Sequence, residues 1–297
     1  MRSIGIRDPD NPILPVVMGT WRHSRVANFS LVIRGDTAYL YYRAGVGVWW
    51  AGQVGHEAIG LARRPVAGFN GKGWVDYPFN PIFTQGAPAD FDGLGPIDPL
   101  VVEHDGTFYL FYEGVANPPE ESVPADGVFL KALQWTNRPG LATSRDGINF
   151  HRVRTTPLVD DDTFLLSLMC IAWRGGRWEA LGLCELAPGV AYDQRRYGYF
   201  HYTSDDAMHW RRSRDLLNWR KYPEPVFTLG EPGRWDDGGI WVGDIAHIGD
   251  TYYLWYEGRS AGRSRSEEYA PGGYSQIGLA TLSAKDFTEI TTAFSAP

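Results

Sequence analysis

The chain has 297 residues, of which 43% are hydrophobic, enough to bury a sizeable core and to exclude disorder or a collagen-like fibre. Its 28 Lys and Arg against 35 Asp and Glu leave a net charge of -7, so there is no positive footprint for a phosphate backbone and nucleic acid is not an expected partner. Met1–Asp10 has no apolar leader core and no run of about 18 apolar residues occurs, which predicts a cytoplasmic chain without a membrane partner, its two cysteines, Cys170 and Cys184, being free thiols.

The 35 Gly and 20 Pro punctuate the chain into short segments and favour an all-β architecture. In chain order, Asn11-Pro12-Ile13-Leu14 comes first and reads as an edge strand, because Pro cannot donate to a ladder. Next come an apolar run, Asn28–Ile33, a turn, Thr37–Arg43 (TAYLYYR), and a third strand at Ile59-Gly60-Leu61-Ala62. The pattern then repeats. Second strands of hairpins start at 37, 107, 177 and 251, a period of roughly 70 residues: Thr37–Arg43, Thr107–Glu113, Arg177–Leu183 and Thr251–Glu257. Each follows a first strand, Asn28–Ile33, Asp98–Glu103, Leu168–Trp173 and Val242–His247, apolar enough to be buried on both faces. Third strands recur at Pro139–Ala142, Tyr199–Thr203 and Ile277–Ala280, and two of them run into Ser-x-Asp turns at Ser144 and Ser204, closed by Phe150 and Trp210. Proline-marked edges recur at Asn80-Pro81, Thr156-Pro157 and Glu224-Pro225.

Four-stranded units repeated in this way predict a β-propeller that occupies residues 1–297 as a single domain, its N-terminal strand closing the last blade. Four units are legible. A further Ser-x-Asp turn, Ser213-Arg214-Asp215 with Trp219, leaves room for a compressed fifth.

The series Asn-Pro-Ile-Leu (11–14), Asn28-Phe29, Tyr39–Arg43, Ile59–Ala62, Asn80-Pro81-Ile82 and Ile97-Asp98-Pro99 resembles the five-bladed propeller glycosidases. These are glycoside hydrolase families 43, 32 and 68 and, above all, the family 130 mannoside phosphorylases and their relatives. The resemblance covers nearly the whole chain through short motifs. It implies five blades and acids at the axial ends of the inner strands, a position that Asp98-Pro99 matches. Asn28 stands where families 43 and 32 have a catalytic base, Leu168 where a further acid is expected, and Val242 in the fourth unit with Asp244 two residues on. Asn28 and Arg43 are similar to family 130, which works with one Asp as proton donor and basic residues that hold phosphate.

Glycoside cleavage requires an acid at the leaving oxygen and usually a second carboxylate. The expected catalytic residues are Asp98 and Asp244, acids in apolar inner strands, with Glu185 as a substitute; period two puts Asp244 on the face of Asp98. Glu113 and Glu257 recur at equivalent positions and read as structural. Arg22, His23 and Arg25 precede the first inner strand and Arg43 ends its partner; together they predict a basic pocket for an anion, or groups that tune the acids. Asn28 belongs to the same mouth. Trp49, Trp50 and Trp241 are candidate sugar platforms, Trp241 equally a core residue, in a chain with 12 Trp, 16 Tyr and 14 Phe, and Asp92 and Asp237 are expected sugar-hydroxyl ligands on loops entering the inner strands, or turn residues beside Gly. No cofactor is expected and the scattered histidines offer no zinc spacing, while Asp160-Asp161-Asp162 is a solvated loop or a calcium ligand set. The expected function is hydrolysis of a glycosidic bond in a short oligosaccharide by axial carboxylates; the alternatives are a family-130-like phosphorylase and a propeller that binds sugar without cleaving it.

Overall fold

The computed structural model describes residues 6–22, 25–45, 57–116, 137–159, 165–185, 197–212, 229–260, 276–283 and 285. Within them, sixteen strands form four antiparallel four-stranded sheets, the blades of a β-propeller. The first blade is β2 (Arg25–Arg34), β3 (Thr37–Gly45), β4 (Glu57–Pro65) and β5 (Val75–Asp76). The second is β6 (Gly95–His104), β7 (Thr107–Val115), β8 (Asn137–Ser144) and β9 (His151–Arg152). The third is β10 (Leu165–Arg174), β11 (Arg177–Glu185), β12 (Tyr197–Ser204) and β13 (Arg211–Arg212). The fourth is β14 (Gly239–Ile248), β15 (Thr251–Arg259) and β16 (Gln276–Ser283), completed by the N-terminal β1 (Ile6–Arg7), which pairs with β16. No helix of the described residues is long and apolar enough to cross a membrane.

Alternation in the second strands explains how blades pack on both sides. In β3, Leu40 and Tyr42 join Tyr253 and Trp255 in a core between the fourth and first blades, while Tyr41, one residue out of phase, joins Phe108 and Leu110 between the first and second. Phe111, between Leu110 and Tyr112, turns the other way into a third core with Trp178 and Trp210. A Tyr-Leu-Tyr-Tyr segment therefore serves two interfaces, because side chains on a strand alternate faces.

Glu224-Pro225 lies outside the described residues, and among these the proline-marked elements are not the fourth strands. Those are the two-residue strands β1 and β5, a few residues upstream, and Asn11-Pro12 and Asn80-Pro81 follow them. Each Asn uses its side chain in place of a strand backbone. Asn11 donates to Leu279 O at 2.9 Å and accepts from Leu279 N at 2.8 Å; Asn80 does the same with Leu61, at 2.9 Å both ways. The primary amide has the donor and acceptor geometry of a peptide, so it satisfies the outer edge where Pro cannot.

Three blades share a further element, with one reversal of charge. Trp21, Phe91 and Trp235 stack on Tyr42, Tyr112 and Tyr256, with ring centroids 5.6, 6.0 and 5.7 Å apart. Each Tyr hydroxyl donates to a carboxylate, that of Asp76, Asp92 or Asp236, at 2.9, 3.0 and 2.9 Å. In the second and fourth blades the acid follows the stacked aromatic and the outer strand supplies the cation, Arg152 or Arg7, each at 2.7 Å. In the first blade the loop supplies the cation, Arg22, and β5 the acid, Asp76, at 3.1 Å. Two of the Ser-x-Asp turns are built as their sequence implies: Asp146 accepts the N–H groups of Ile148 and Asn149, and Asp206 those of Met208 and His209, all at 2.8 Å.

Candidate active site

The inner strands β2, β6 and β14 each carry a β-bulge near their start, where one extra residue interrupts the ladder: Asn28 between Ala27 and Phe29, the Asp98-Pro99 step between Ile97 and Leu100, and Val242 between Trp241 and Gly243. Asn28 and Asp98 have positive φ, 30° and 51°, a conformation costly for residues with a Cβ and maintained where the surroundings impose it. The residue paired just before each bulge, Arg43, Glu113 or Glu257, is buried in its blade. Asn28, Asp98, Arg43, Glu113 and Glu257 thus occupy one level at the same end of three blades.

The centre of this group is Arg43. Its Nε and Nη2 donate to the two oxygens of Glu57, at 3.0 and 2.9 Å, and its Nη1 donates to Asp98 Oδ1 at 3.3 Å. Arg25 Nη1 lies 3.5 Å from Glu57 Oε1. Glu57 opens β4 beside the start of the second blade, and a Cβ on Gly95 would lie 2.4 Å from its carbonyl oxygen; glycine is what allows the two blades to meet here. Burial pushes the Glu57 carboxyl up, but Arg43 and Arg25 outweigh it and hold it below its ordinary value. For Asp98 the balance is reversed. Burial is the largest influence and raises it, Glu257 and Glu57 add to the rise, and Arg43 and Arg25 only partly oppose it. Its side chain nevertheless keeps 26% of its surface open. The result is a carboxyl disposed to hold its proton, open on one side and anchored by an arginine on the other.

The residues singled out from the sequence divide into four sets. Asp98, Arg25, Arg43 and Asn28 come together at this level. Arg22 does not join them: Trp21 packs on Tyr42 and delivers Arg22 to Asp76 on the outermost strand. Asp92, expected as a loop ligand for sugar, is 0% exposed and committed to Tyr112 and Arg152. Asp237 accepts the Gly233 N–H at 2.7 Å, the turn chemistry that Gly neighbours imply. For Asp244, Trp241 and Glu185 the backbone alone is described, paired with Trp255, Glu257 and Tyr197 respectively. Alternation does not run through a bulge, so Asp244 stands level with Leu100 and Ser30 and not with Asp98. His23, Trp49, Trp50 and Asp160–Asp162 lie outside the described residues. Among the described residues, no group of three or more His, Cys, Asp or Glu is placed to hold a metal ion.

Sequence reasoning missed Glu57. The only local sign is an acid opening an otherwise apolar third strand, Glu57-Ala58-Ile59, and its partners come from β3 and β2. Glu257, expected to be structural because it recurs at the position of Glu113, lies at the same register level as Glu113, one residue before a bulge.

No protein-family model matches the sequence. Two uncharacterized proteins of Mycobacterium tuberculosis are 27% identical over 141 residues, which is 46% of this chain and 43% of each relative, so the match spans less than half of either. Among solved structures, a glycosyl hydrolase from Bacteroides ovatus superposes with TM-score 0.51 at 17% identity, over 94% of this chain and 76% of that one. A second glycoside hydrolase gives TM-score 0.51 at 14% identity, over 91% and 72%. A structure from the family 130 mannoside phosphorylases, a family that contains glycoside hydrolases targeting β-1,2 mannosidic linkages in Candida mannan, gives TM-score 0.50 at 17% identity, over 95% and 77%. These likenesses show the fold, a β-propeller that this chain shares with those glycoside hydrolase structures.

Proposed function

We propose that this chain is a glycoside hydrolase that cleaves a glycosidic bond of a short oligosaccharide, with Asp98 protonating the leaving oxygen. The observation that carries this reading is the state of Asp98: raised by burial and by two neighbouring acids, yet open on one side and fixed by Arg43. A proton donor must keep its proton until the substrate arrives, and an apolar, acid-rich setting accomplishes that for a carboxyl group. Phosphorolysis finds less support, because Arg43 and Arg25, the cations that act on Asp98 among the described residues, also face Glu57.

The test is a panel of aryl furanosides and pyranosides assayed with and without phosphate. Release of the aryl group without phosphate, lowered about 10²–10⁴-fold in Asp98→Asn with the fold kept, is the expected result. Release only with phosphate would select a phosphorylase. Sugar binding without turnover would select a lectin-like propeller.

A further inference from the structure

The structure assigns a second carboxylate to this site: we propose that Glu257 takes the proton of the attacking water while Asp98 protonates the leaving oxygen. The proposal rests on the hydrolytic reading above and adds the residue that reading lacks.

Register places Glu257 first. It lies on β15 opposite Trp241, immediately before the bulge of β14, the same station that Arg43 holds against the bulge at Asn28. Arg43 reaches Asp98 from that station across a blade boundary, so a side chain from the equivalent station on the fourth blade is directed to the same level. The charge of Glu257 is among the influences that raise Asp98, which Arg43 opposes. Among the described residues, the charged groups that act on Asp98 are Arg43 from β3, Glu257 from β15, Arg25 from β2 and Glu57 from β4.

Partnership separates Glu257 from Glu57. Glu57 is a buried acid neutralised by two arginines. Glu257 is only 7% exposed, yet among the described residues no hydrogen bond or ion pair reaches its carboxylate. A buried acid with no such partner among the described residues is a candidate for use by the site, and pairs of carboxyl groups in contrasting surroundings supply the acid and the base of one reaction. In the step, Asp98 gives its proton to the glycosidic oxygen as the bond from the anomeric carbon to that oxygen breaks, the electron pair staying on oxygen. Water forms the new bond to the anomeric carbon and passes a proton to Glu257. Solvent then returns that proton to Asp98, and both groups are restored.

The experiment compares wild type, Asp98→Asn, Glu257→Gln and Glu257→Asp on the aryl glycosides that wild type cleaves. Glu257→Gln is expected to lower kcat at least about a hundredfold, equally for good and poor leaving groups, and added azide to restore turnover, whereas Asp98→Asn should lose most on poor leaving groups. Wild-type turnover by Glu257→Gln, with Asp98→Asn inactive, would overturn the role of Glu257 and leave the hydrolase reading standing. A wild-type protein that cleaves nothing on the panel would remove the hydrolase reading, and the catalytic step with it. A ¹³C titration of the Asp98 carboxyl separates the pairing from the chemistry: it should titrate lower in Glu257→Gln and keep its raised value in Glu257→Asp. An unchanged titration in Glu257→Gln would overturn the pairing whatever the activity.

Discussion

Asp98, at a bulge of the second blade, accepts a hydrogen bond from Arg43 of the first at 3.3 Å, while the same guanidinium holds Glu57 through its other two nitrogens. One cation thus links two acids with opposite tendencies. Glu57, which opens β4, is kept ionised; Asp98, which faces Glu257 as well, is kept protonated to higher pH.

Replacing Glu57 by Gln keeps its shape and removes its charge, leaving two buried guanidiniums less compensated. Loss of one partner from a buried ion pair costs about 3–5 kcal/mol, so Glu57→Gln should lower stability by that order in equilibrium denaturation. In the same variant Asp98 should titrate lower, since an acidic neighbour is gone and Arg43 acts on it undiminished. A loss below about 1 kcal/mol would show that Glu57 is not the counterion the geometry makes it.

The two acids give opposite pH dependences of stability. Asp98 has a folded value above its ordinary 3.8, so the native state binds its proton more tightly, and its contribution declines as pH rises from 3.8 through the raised value. Glu57 has a folded value below 4.5, so its contribution is complete above 4.5 and is lost as pH falls through the lowered value. Asp98→Asn removes only the first effect. Urea denaturation of both proteins at several pH values from 4 to 7 should find the variant gaining stability relative to wild type as pH rises; a relative loss would reverse the sign assigned to Asp98.

The reversed ion pair of the first blade can be turned to match the other two. Arg22→Asp places two acids together and Asp76→Arg two cations, and each should destabilise by about 1–3 kcal/mol. The double variant reproduces the arrangement of Asp92 with Arg152 and should recover at least half of the summed loss, a coupling within the usual 0.5–3 kcal/mol of contacting pairs. Strict additivity in thermal or chemical denaturation would mean that the pair contributes nothing at this junction.

Gly95 has φ +145°, and a Cβ there would lie 2.4 Å from Glu57 O. Gly95→Ala should cost roughly 1–3 kcal/mol through backbone strain and should shift the start of β4, and Glu57 with it. Its signature is a fall in stability together with an altered alkaline limb of the pH–rate profile, the limb that a proton donor such as Asp98 governs. Full stability in the variant would show that the two blades can separate there at no cost.

The repeat of strands was legible in the sequence because it depends on alternation within a few residues. Tyr-Leu-Tyr-Tyr and its relatives mark second strands, and Ser-x-Asp marks the turns that Asp146 and Asp206 build with backbone N–H groups next to them in the chain. The bulge that carries Asp98 left a trace too, in an acid followed by Pro within an apolar strand. What tertiary structure alone decided was the partner of each charge. Asp92 and Asp98 are six positions apart and look alike beside Gly and Pro, yet one is sealed against Tyr112 and Arg152 and the other stays open. Arg22 and Arg25 stand in one short basic cluster, yet one ends on the outermost strand and the other at Glu57. Electrostatic interaction acts through space and is strengthened by burial, so the roles of Glu57 and Glu257 exist only after the blades have brought β3, β4, β6 and β15 to one level, and no local pattern of residues encodes that meeting.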